Sequence, residues 1–292
     1  MPNNADNSNL VPLYPIQYEE SVRRALLEDL GRAGDITTDA IVSPEDTATA
    51  AIVARAPGRI AGLQVADCVF RCLDPQLDFD VVLCDGRDAK AGDTVALIHG
   101  AARPILSAER TALNFLMRLS GIATITREIV ALVSPYPTRI VCTRKTTPGL
   151  RALEKYAVRA GGGTNHRFGL DDAVLIKDNH IVVAGGVAEA IRRVRRRIGH
   201  LVKIEVEVDT LEQLDQALME KVDAVLLDNM DLETLAEAVR RTQKRAITEA
   251  SGGVTSKTAK AIAATGVDLI SVGWMTHSAP ALDLSLDLNF RS

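Results

Sequence analysis

The sequence has little of what marks secreted or membrane proteins. Its four cysteines among 292 residues show no paired spacing, which argues against a disulfide framework. No apolar run approaches the ~20 residues that cross a bilayer. The segment Met1–Asn9 has neither the basic nor the apolar part of a signal peptide, and we expect residues 1–14 to form a disordered lead-in. These absences favour a soluble protein of a reducing cytoplasm.

A strong excess of positive charge is also missing. The formal net charge is −4, from 34 Lys and Arg against 38 Asp and Glu, which argues against a general nucleic-acid binder. One basic run, Arg192–Arg197, ends a helical pattern that begins near Val187, where cations suit the helix dipole. We interpret it as a solvated helix face rather than an RNA-binding patch.

The first third of the chain has a short, β-like texture. Apolar alternation and turn residues predict three strands and two helices. The strands are expected at 49–55, 79–84 and 94–99, and the helices at 18–30 and 65–73, with a turn at 57–62. This pattern predicts a small α+β domain over residues 15–106.

From Ser107 a long helical stretch begins, with an expected break near Gly121. A repeated unit of one short apolar strand and one helix follows. Its strands are expected at 139–143, 173–176, 202–208, 224–227, 246–249 and 269–272. Their spacing is near that of a (β/α) barrel unit, although an open, doubly wound parallel sheet has the same pattern. We predict an α/β domain over 107–278, and we expect residues 279–292 to pack back on the N-terminal domain.

Cationic residues follow the first strands of this repeat, at the end where barrel enzymes place their active sites. These residues are Arg144, Lys145, His166, Arg167 and Lys177. Arginine matches carboxylate or phosphate with a planar fork, and lysine supplies a compact charge. Five potential cations in one pocket indicate a polyanionic ligand, whereas surface ion pairing is the alternative.

Carboxylates dominate the middle strands. Alternation along the predicted strand places Lys203, Glu205 and Glu207 on one face. If that face lines a barrel, the charges point inward and must be paired or bound to metal; an edge strand with a solvated face is the alternative. Asp228 closes the next strand, so carboxylates on neighbouring strands could hold hydroxyl groups or a divalent cation.

Glycines follow the last two strands, in Ser251-Gly252-Gly253 and Ser271-Val272-Gly273, and a helix is expected after Ser256. Glycine lets backbone N–H groups approach an anion closely, and the last two strand ends of a barrel are a frequent phosphate site. The three clusters together indicate a sugar phosphate that reacts with a small carboxylic acid.

Several long motifs resemble those of the quinolinate phosphoribosyltransferase family. The motifs are Gly31–Thr38, Ser107–Phe115, Thr143–Gly149, Gly161–Arg167, Ile176–His180 and Leu227–Met230. The resemblance runs from about Glu28 to Leu288. It departs from the family pattern at Met117 and at Gly273-Trp274-Met275.

The resemblance implies an incomplete (β/α) barrel with a smaller N-terminal α+β domain, and active sites shared between the subunits of a homodimer, with hexamers left open. The implied reaction, that of a pentosyltransferase, joins quinolinate to phosphoribosyl pyrophosphate with Mg²⁺ as cofactor. It gives nicotinate mononucleotide, pyrophosphate and carbon dioxide.

The resemblance also implies residue roles. Arg110 would reach quinolinate from the neighbouring subunit, beside a pocket that includes Thr143. Catalytic roles would fall to Lys145, Lys177, Glu207 and Asp228, the last two holding the ribose hydroxyls directly or through magnesium. The residues expected to bind the remaining substrate groups are Arg144, His166 and Arg167 for the acid, and Ser251, Gly252, Gly253, Val272, Gly273 and Trp274 for the 5′-phosphate.

Three other interpretations share parts of this pattern. A paralogous pyrophosphorylase linked to molybdenum transport has the same fold. A Schiff-base aldolase could use Lys177, provided that an apolar surround lowers the pKa of that lysine. The Ala91–Val95 segment with Pro57-Gly58 is similar to biotinyl or lipoyl carriers, but the exposed lysine hairpin of such carriers is missing.

Overall fold

The chain folds into two compact units. The structure, a computed structural model, describes residues 10–291, with the side chains of 289–291 left out. Unit 1 comprises Met1–Arg127, Thr146–Gly162 and Met275–Ser292, and unit 2 comprises Glu128–Lys145 and Gly163–Trp274. Most of the expected lead-in, residues 1–9, lies outside the described residues, whereas Leu13 is buried.

The secondary structure alternates as the sequence predicts. The helices are α1 Glu19–Leu30, α2 Ile36–Ile41, α3 Leu63–Leu73, α4 Ala102–Val133, α5 Arg151–Ala160, α6 Asp178–Ala184, α7 Val187–Arg195, α8 Leu211–Met219, α9 Leu232–Thr242, α10 Ala259–Ala264 and α11 Trp274–His277. The strands are β1 Thr47–Ala54, β2 Gly58–Arg59, β3 Asp78–Val81, β4 Asp88–Ala89, β5 Thr94–Ala101, β6 Arg139–Val141, β7 Val174–Ile176, β8 Ile204–Val208, β9 Ala224–Asp228, β10 Ile247–Ser251, β11 Leu269–Ser271 and β12 Leu284–Arg291. No described helix combines the length and the apolar character that a membrane span requires.

Unit 1 contains a four-stranded antiparallel sheet in the order β12-β1-β5-β3. The C-terminal segment forms β12, which pairs with β1 over the whole strand, from Thr47 opposite Arg291 to Ala54 opposite Leu284. Alternate residues of β1 are buried at its start, as expected for a sheet with one covered face. The last strand of the chain therefore completes the sheet that its first strand begins.

The long helix α4 is continuous through Gly121, so the expected break there is wrong. A Cβ at position 121 would lie 2.0 Å from the carbonyl oxygen of Pro280. The glycine is thus explained by a close backbone approach rather than by a turn. The helix also begins at Ala102, before the domain boundary expected at Ser107, and the two units divide at residues 127 and 128.

A buried carboxylate organises part of unit 1. Asp85 accepts hydrogen bonds from the backbone N–H groups of Gly62 (2.9 Å) and Leu63 (3.2 Å), and from the Tyr156 hydroxyl (2.6 Å). The backbone donors lie at the start of α3, where N–H groups have no partner within the helix. Burial raises the pKa of Asp85 above its ordinary value. Asp85 therefore caps α3 from a distant part of the sequence and ties it to α5.

A second buried acid in unit 1 lies on α5. Glu154 is fully buried and accepts hydrogen bonds from Arg118 Nη2 (2.8 Å) and from the hydroxyl (2.7 Å) and backbone N–H (3.1 Å) of Thr147. Arg118 also donates to the carbonyl of Thr276. A buried charge is tolerated where charged and neutral donors satisfy it in this way.

Unit 2 contains a six-stranded parallel sheet in the order β6-β11-β10-β9-β8-β7. All six predicted strands are present, with ends shifted by one or two residues. In a closed barrel the first strand would pair with the second on one side and the last on the other. Here β6 pairs with β11 but not with β7, so the barrel is open between its first two strands, which confirms the incomplete (β/α) barrel.

The link between Tyr156 and Asp85 is testable by removing one hydroxyl. We expect Tyr156→Phe to lower the free energy of unfolding by about 1–3 kcal/mol, because a buried carboxyl group loses a donor. The measurement is urea denaturation of the parent and the variant. Tyr14→Phe, at a tyrosine that is 74% exposed, is the control and should change stability by less than about 0.5 kcal/mol. Equal effects of the two changes would contradict the proposed cap.

Candidate active site

One cavity of about 650 Å³ lies at the carboxyl ends of the unit 2 strands. It brings together eleven of the fifteen residues that the sequence indicated for substrate binding. The lining residues are Thr143, Arg144, Lys145, His166, Arg167, Leu175, Lys177, Glu207, Leu226, Asp228, Asn229, Glu249, Ser251, Gly252, Gly253 and Ser271. Parallel strands place their carboxyl ends at the same edge, which is why residues so far apart in the chain meet here.

The cationic side of the cavity is built by segments that follow β6 and α5. Arg144 and Arg167 are both partly buried, and Arg167 Nη1 donates to the carbonyl of Ala173 (2.8 Å). Burial lowers the pKa of Arg167, and the neighbouring charge of Arg144 lowers it further. Two guanidinium groups that repel each other in a partly desolvated place favour an anionic ligand that would neutralise both.

The anionic side lies on β8 and β9. Lys177 Nζ is 2.8 Å from Glu207 Oε2, and the Glu207 side chain is only 12% exposed. Asp228 Oδ2 accepts from the side-chain amide of Asn229 (2.7 Å). The amine of Lys177 is thus paired with a carboxylate. A Schiff-base lysine needs an apolar environment instead.

The alternation predicted along 203–207 is correct only in part. Glu205 and Glu207 lie on the inner face of β8, with 12% of each side chain exposed. Lys203 precedes the strand, is 77% exposed and pairs with Asp223. Lys203 thus lies one residue before the strand, which begins at Ile204, and it lines a smaller cavity at the start of the strands together with Glu205.

Glu207 and Asp228 also form the candidate magnesium site. Among the described residues Glu207 uses one oxygen for Lys177 and Asp228 uses one for Asn229. Each carboxylate thus keeps one oxygen, a ligand type that Mg²⁺ accepts while retaining several waters. The residues fit an ion held mainly through substrate oxygens and water better than an ion enclosed by protein ligands.

His166 differs from the cations that the sequence grouped with it. Its Nδ1 accepts a hydrogen bond from the backbone N–H of Arg167 (2.8 Å), and its Nε2 lies 2.9 Å from Glu205 Oε2. A ring nitrogen that accepts a hydrogen bond carries no proton, so the network assigns the proton to Nε2. A ring with this one proton is neutral, whereas the sequence groups His166 with the potential cations.

Two consecutive glycines follow β10, as the sequence indicates. Gly252 and Gly253 have φ values of +92° and +58°, a backbone conformation that favours glycine. A Cβ on Gly252 would lie 2.1 Å from Asn229 Oδ1, whereas one on Gly253 would meet no atom within 4 Å. The loop is therefore packed against Asn229 on one side and open on the other.

Four of the predicted binding residues do not line the cavity. Arg110 lies on α4 in unit 1 with a side chain that is 62% exposed. Val272 is buried and donates its backbone N–H to the carbonyl of Val141 (2.9 Å), so that amide is not a phosphate donor. Gly273 packs below Lys145, since a Cβ there would lie 2.9 Å from Lys145 Cδ. Trp274 donates its indole N–H to the carbonyl of Val254 (2.8 Å) and thereby braces the glycine loop.

Sequence reasoning missed Glu249. It was taken as the end of an apolar strand, yet it lies within β10, is 1% exposed and lines the cavity. The signal in the sequence was a glutamate two residues before Ser251, at the spacing that returns a side chain to the same face of a strand.

Comparison with known proteins assigns this fold and site to a class of phosphoribosyl-transferring enzymes. The N- and C-terminal domain models of quinolinate phosphoribosyl transferase match residues 35–120 and 122–287. The chain therefore belongs to the quinolinate phosphoribosyltransferase family.

Individual relatives agree with this assignment. The chain is 44% identical over 273 residues to the probable nicotinate-nucleotide pyrophosphorylase [carboxylating] of Bacillus subtilis (strain 168), covering 94% of each chain. It is 46% identical over 276 residues to the nicotinate-nucleotide pyrophosphorylase [carboxylating] of Mycobacterium leprae (strain TN), covering 92% of this chain and 96% of the other. The structure of NadC from Streptococcus pyogenes is similar with a TM-score of 0.93 and 38% identity, over 97% of this chain and all of that one.

Two neighbouring glycines provide a matched test of the loop. We expect Gly252→Ala to destabilise the protein more than Gly253→Ala, because only the first Cβ collides with Asn229. Both variants share the cost of a left-handed backbone, about 1–2 kcal/mol, so their difference isolates the collision. The measurement is the free energy of unfolding of each variant by calorimetry. Equal losses would contradict the packing of Gly252 on Asn229.

Proposed function

We propose that the protein transfers a phosphoribosyl group from phosphoribosyl pyrophosphate to quinolinate with loss of carbon dioxide. The products are nicotinate mononucleotide, pyrophosphate and carbon dioxide, a step of de novo NAD biosynthesis. The observation that carries the proposal is the meeting of Arg144, Arg167 and Lys177 in one cavity with two carboxylates and a glycine loop. Membership of the family supports the same reaction.

Arg144 and Arg167 are the groups best suited to the two carboxylates of quinolinate. Their guanidinium groups match carboxylates with paired N–H donors, and binding a dianion relieves the repulsion between them. Lys145, which is exposed at the rim, supplies a further charge for quinolinate or the departing pyrophosphate. These contacts hold the pyridine nitrogen against the anomeric carbon and lower the entropic part of the barrier.

Glu207 and Asp228 serve the ribose. Departure of pyrophosphate leaves positive charge on the ring oxygen and anomeric carbon, and fixed carboxylates stabilise it there. The ion pair with Lys177 holds Glu207 in a set position before substrate arrives. Magnesium, when bound with pyrophosphate, neutralises charge on the leaving group.

The glycine loop Ser251–Gly253 suits the 5′-phosphate, since it lines the cavity and glycine lets backbone N–H groups approach an anion closely. Transfer makes the pyridine nitrogen cationic. The ring then accepts the electron pair of the bond to the C2 carboxylate, carbon dioxide leaves, and C2 takes up a proton. No protein nucleophile is needed for that sequence.

We further propose a cytoplasmic homodimer with shared active sites, without nucleic-acid or membrane partners. Arg110 supports the shared site, because its side chain is 62% exposed and is not among those that line the cavity of its own chain. Assembly of dimers into hexamers is compatible with the same site.

The direct assay mixes the protein with quinolinate, phosphoribosyl pyrophosphate and magnesium, and measures nicotinate mononucleotide by chromatography. Nicotinate, which lacks the second carboxylate, is the parallel substrate and should react far more slowly. Equal turnover of both acids would contradict recognition of a dicarboxylate.

Arg144→Lys tests the fork geometry while keeping the charge. We expect KM for quinolinate to rise about 10- to 100-fold, which corresponds to the loss of one charge-assisted hydrogen bond. Steady-state kinetics at saturating phosphoribosyl pyrophosphate give the value. Arg193→Lys, on the exposed face of α7, is the control and should leave KM as it is. An unchanged KM in Arg144→Lys would remove that arginine from quinolinate recognition.

A mixing experiment tests the shared site. Arg110→Ala and Lys177→Ala chains should each be inactive, and mixing should restore up to about a quarter of the parent activity, since half of the random dimers hold one complete site. Subunit exchange is followed with differently tagged chains. Exchange without any recovery would show that Arg110 does not act across subunits.

A further inference from the structure

Two buried glutamates and one histidine form a cluster beneath the cationic pocket, on the inner side of the barrel. His166 Nε2 lies 2.9 Å from Glu205 Oε2 and 3.7 Å from Glu249 Oε1. One nitrogen or oxygen of each residue lies within 4.8 Å of the others. The side chains of Glu205 and Glu249 are 12% and 2% exposed. Charges this close and this deep must be neutralised within the cluster.

The hydrogen bonds around His166 leave one proton for this purpose. Nδ1 is occupied as an acceptor by the backbone of Arg167, so Nε2 holds the only ring proton and donates it to Glu205. Glu249 Oε1 is buried and accepts no hydrogen bond from the described residues. A neutral histidine that bears its one proton toward Glu205 cannot also compensate a charge on Glu249. The same assignment leaves no lone pair on Nε2 for a metal ion.

We propose that Glu205 and Glu249 are positioning residues that hold His166 as a neutral, Nε2-protonated ring below the substrate pocket, with a proton on the carboxyl group of Glu249. The cluster then carries a single negative charge, at Glu205. Its role rests on the proposed function: it orients His166 and keeps a second negative charge away from the place where the dianion of the acid substrate binds.

The electrostatic surroundings support this assignment. Burial, together with the neighbouring charge of Glu205, raises the pKa of Glu249 to about 7, so Glu249 stays protonated up to neutral pH. A positively charged His166 would oppose this rise in the pKa of Glu249, as does the hydrogen bond from the Ser271 hydroxyl; the neutral ring assigned here leaves only the second of these contributions. Arg167 flanks the cluster from the same loop as His166.

A second cavity, of about 290 Å³, lies on the other side of this cluster, at the start of the strands. His166, Arg167 and Glu249 line both cavities. Lys203, Asp172 and Asp223 are the charged groups that line the second one beyond the cluster. The cluster therefore forms a polar partition across the barrel interior, where barrels of this type ordinarily have layers of apolar side chains.

Ionisation of Glu249 should weaken the binding of the acid substrate. When the pH rises through about 7, Glu249 loses its proton and adds a negative charge near Arg144 and Arg167. The affinity for a dianionic acid then falls. Conversely, a bound dianion favours the protonated form, so quinolinate binding above that pH takes up a proton.

The first test observes the ring directly in the parent protein. With ¹⁵N-labelled histidine, we expect the His166 signals at pH 7 to be those of a neutral ring protonated on Nε2. His166→Asn identifies these signals among the five histidines. Signals of a doubly protonated ring at pH 7 would overturn the proposal. This readout does not depend on activity, so it separates the cluster from the proposed reaction.

The second test compares pH profiles. Between pH 6.5 and 8.5 we expect kcat/KM for quinolinate to fall roughly tenfold in the parent and to stay level in Glu249→Gln, which mimics the protonated acid. Glu205→Gln should instead lower kcat/KM at every pH and shift the His166 signals, because the ring loses its anchor. Glu237→Gln, on the exposed face of α9, should follow the parent profile.

The same fall in Glu249→Gln as in the parent would overturn the role of Glu249. If Glu249→Gln does not fold, proton uptake by the parent decides the question, measured by calorimetry of quinolinate binding at pH 7.5 in two buffers of different ionisation enthalpy. Absence of uptake would overturn the proposal. A neutral His166 in a chain with no activity toward quinolinate would refute the proposed function and leave the cluster standing.

Discussion

The rest of unit 2 depends on one constraint, which is that charged side chains inside a barrel must be compensated where they lie. The inner face of β8 carries Glu205 and Glu207, and the inner face of β10 carries Glu249. Each has a different compensation: the proton of His166 for the first, the amine of Lys177 for the second and a proton of its own for the third. An apolar interior would fold more simply, so the cost of these charges is explained by the polar substrate that the cavity receives.

The open barrel suits this arrangement. β6 does not pair with β7, and the segment after α5 lies beside β6 instead, where Thr164 forms an isolated parallel bridge with Val141. The segments that follow β6 and α5 both carry cations, Arg144 and Arg167. The two guanidinium groups meet near the gap, whereas the carboxylates lie on the continuous strands opposite. The cavity thus has a cationic side, for which we propose binding of the acid, and an anionic side, for which we propose binding of the ribose.

Much of this was predictable from the sequence, and the reason is geometric. Six apolar strands at regular spacing are enough to indicate a parallel sheet, and in such a sheet the residues after each strand converge on one edge. Arg144, Lys177 and Asp228 were therefore placed correctly without knowledge of any contact. The same argument needs only the order of elements along the chain, which local patterns encode well.

The errors share a different origin, because each depends on a particular contact that the local sequence pattern does not show. Gly121 looked like a helix break, but its partner is Pro280 on another segment. Val272 looked like part of a phosphate loop, but its amide belongs to the pairing with Val141. His166 follows the pattern of a cation, but its Nδ1 accepts a hydrogen bond from the backbone of Arg167. Glycine, amide and imidazole groups each have several roles, and the sequence alone does not say which neighbour selects one.

Unit 1 shows the same dependence on distant partners in a structural setting. Asp85 caps α3 and binds Tyr156 on α5, and Glu154 on the same helix binds Arg118 and Thr147. In the sequence, α5 lies between two segments of unit 2. The hydrogen bonds of these two acids nevertheless fix it within unit 1. Thr147 follows Lys145 by two residues. The hydrogen bonds between Thr147 and Glu154 therefore fix the chain directly after Lys145. Buried acids thus serve both units in one way, since their hydrogen bonds and ion pairs join segments that are separate in the sequence.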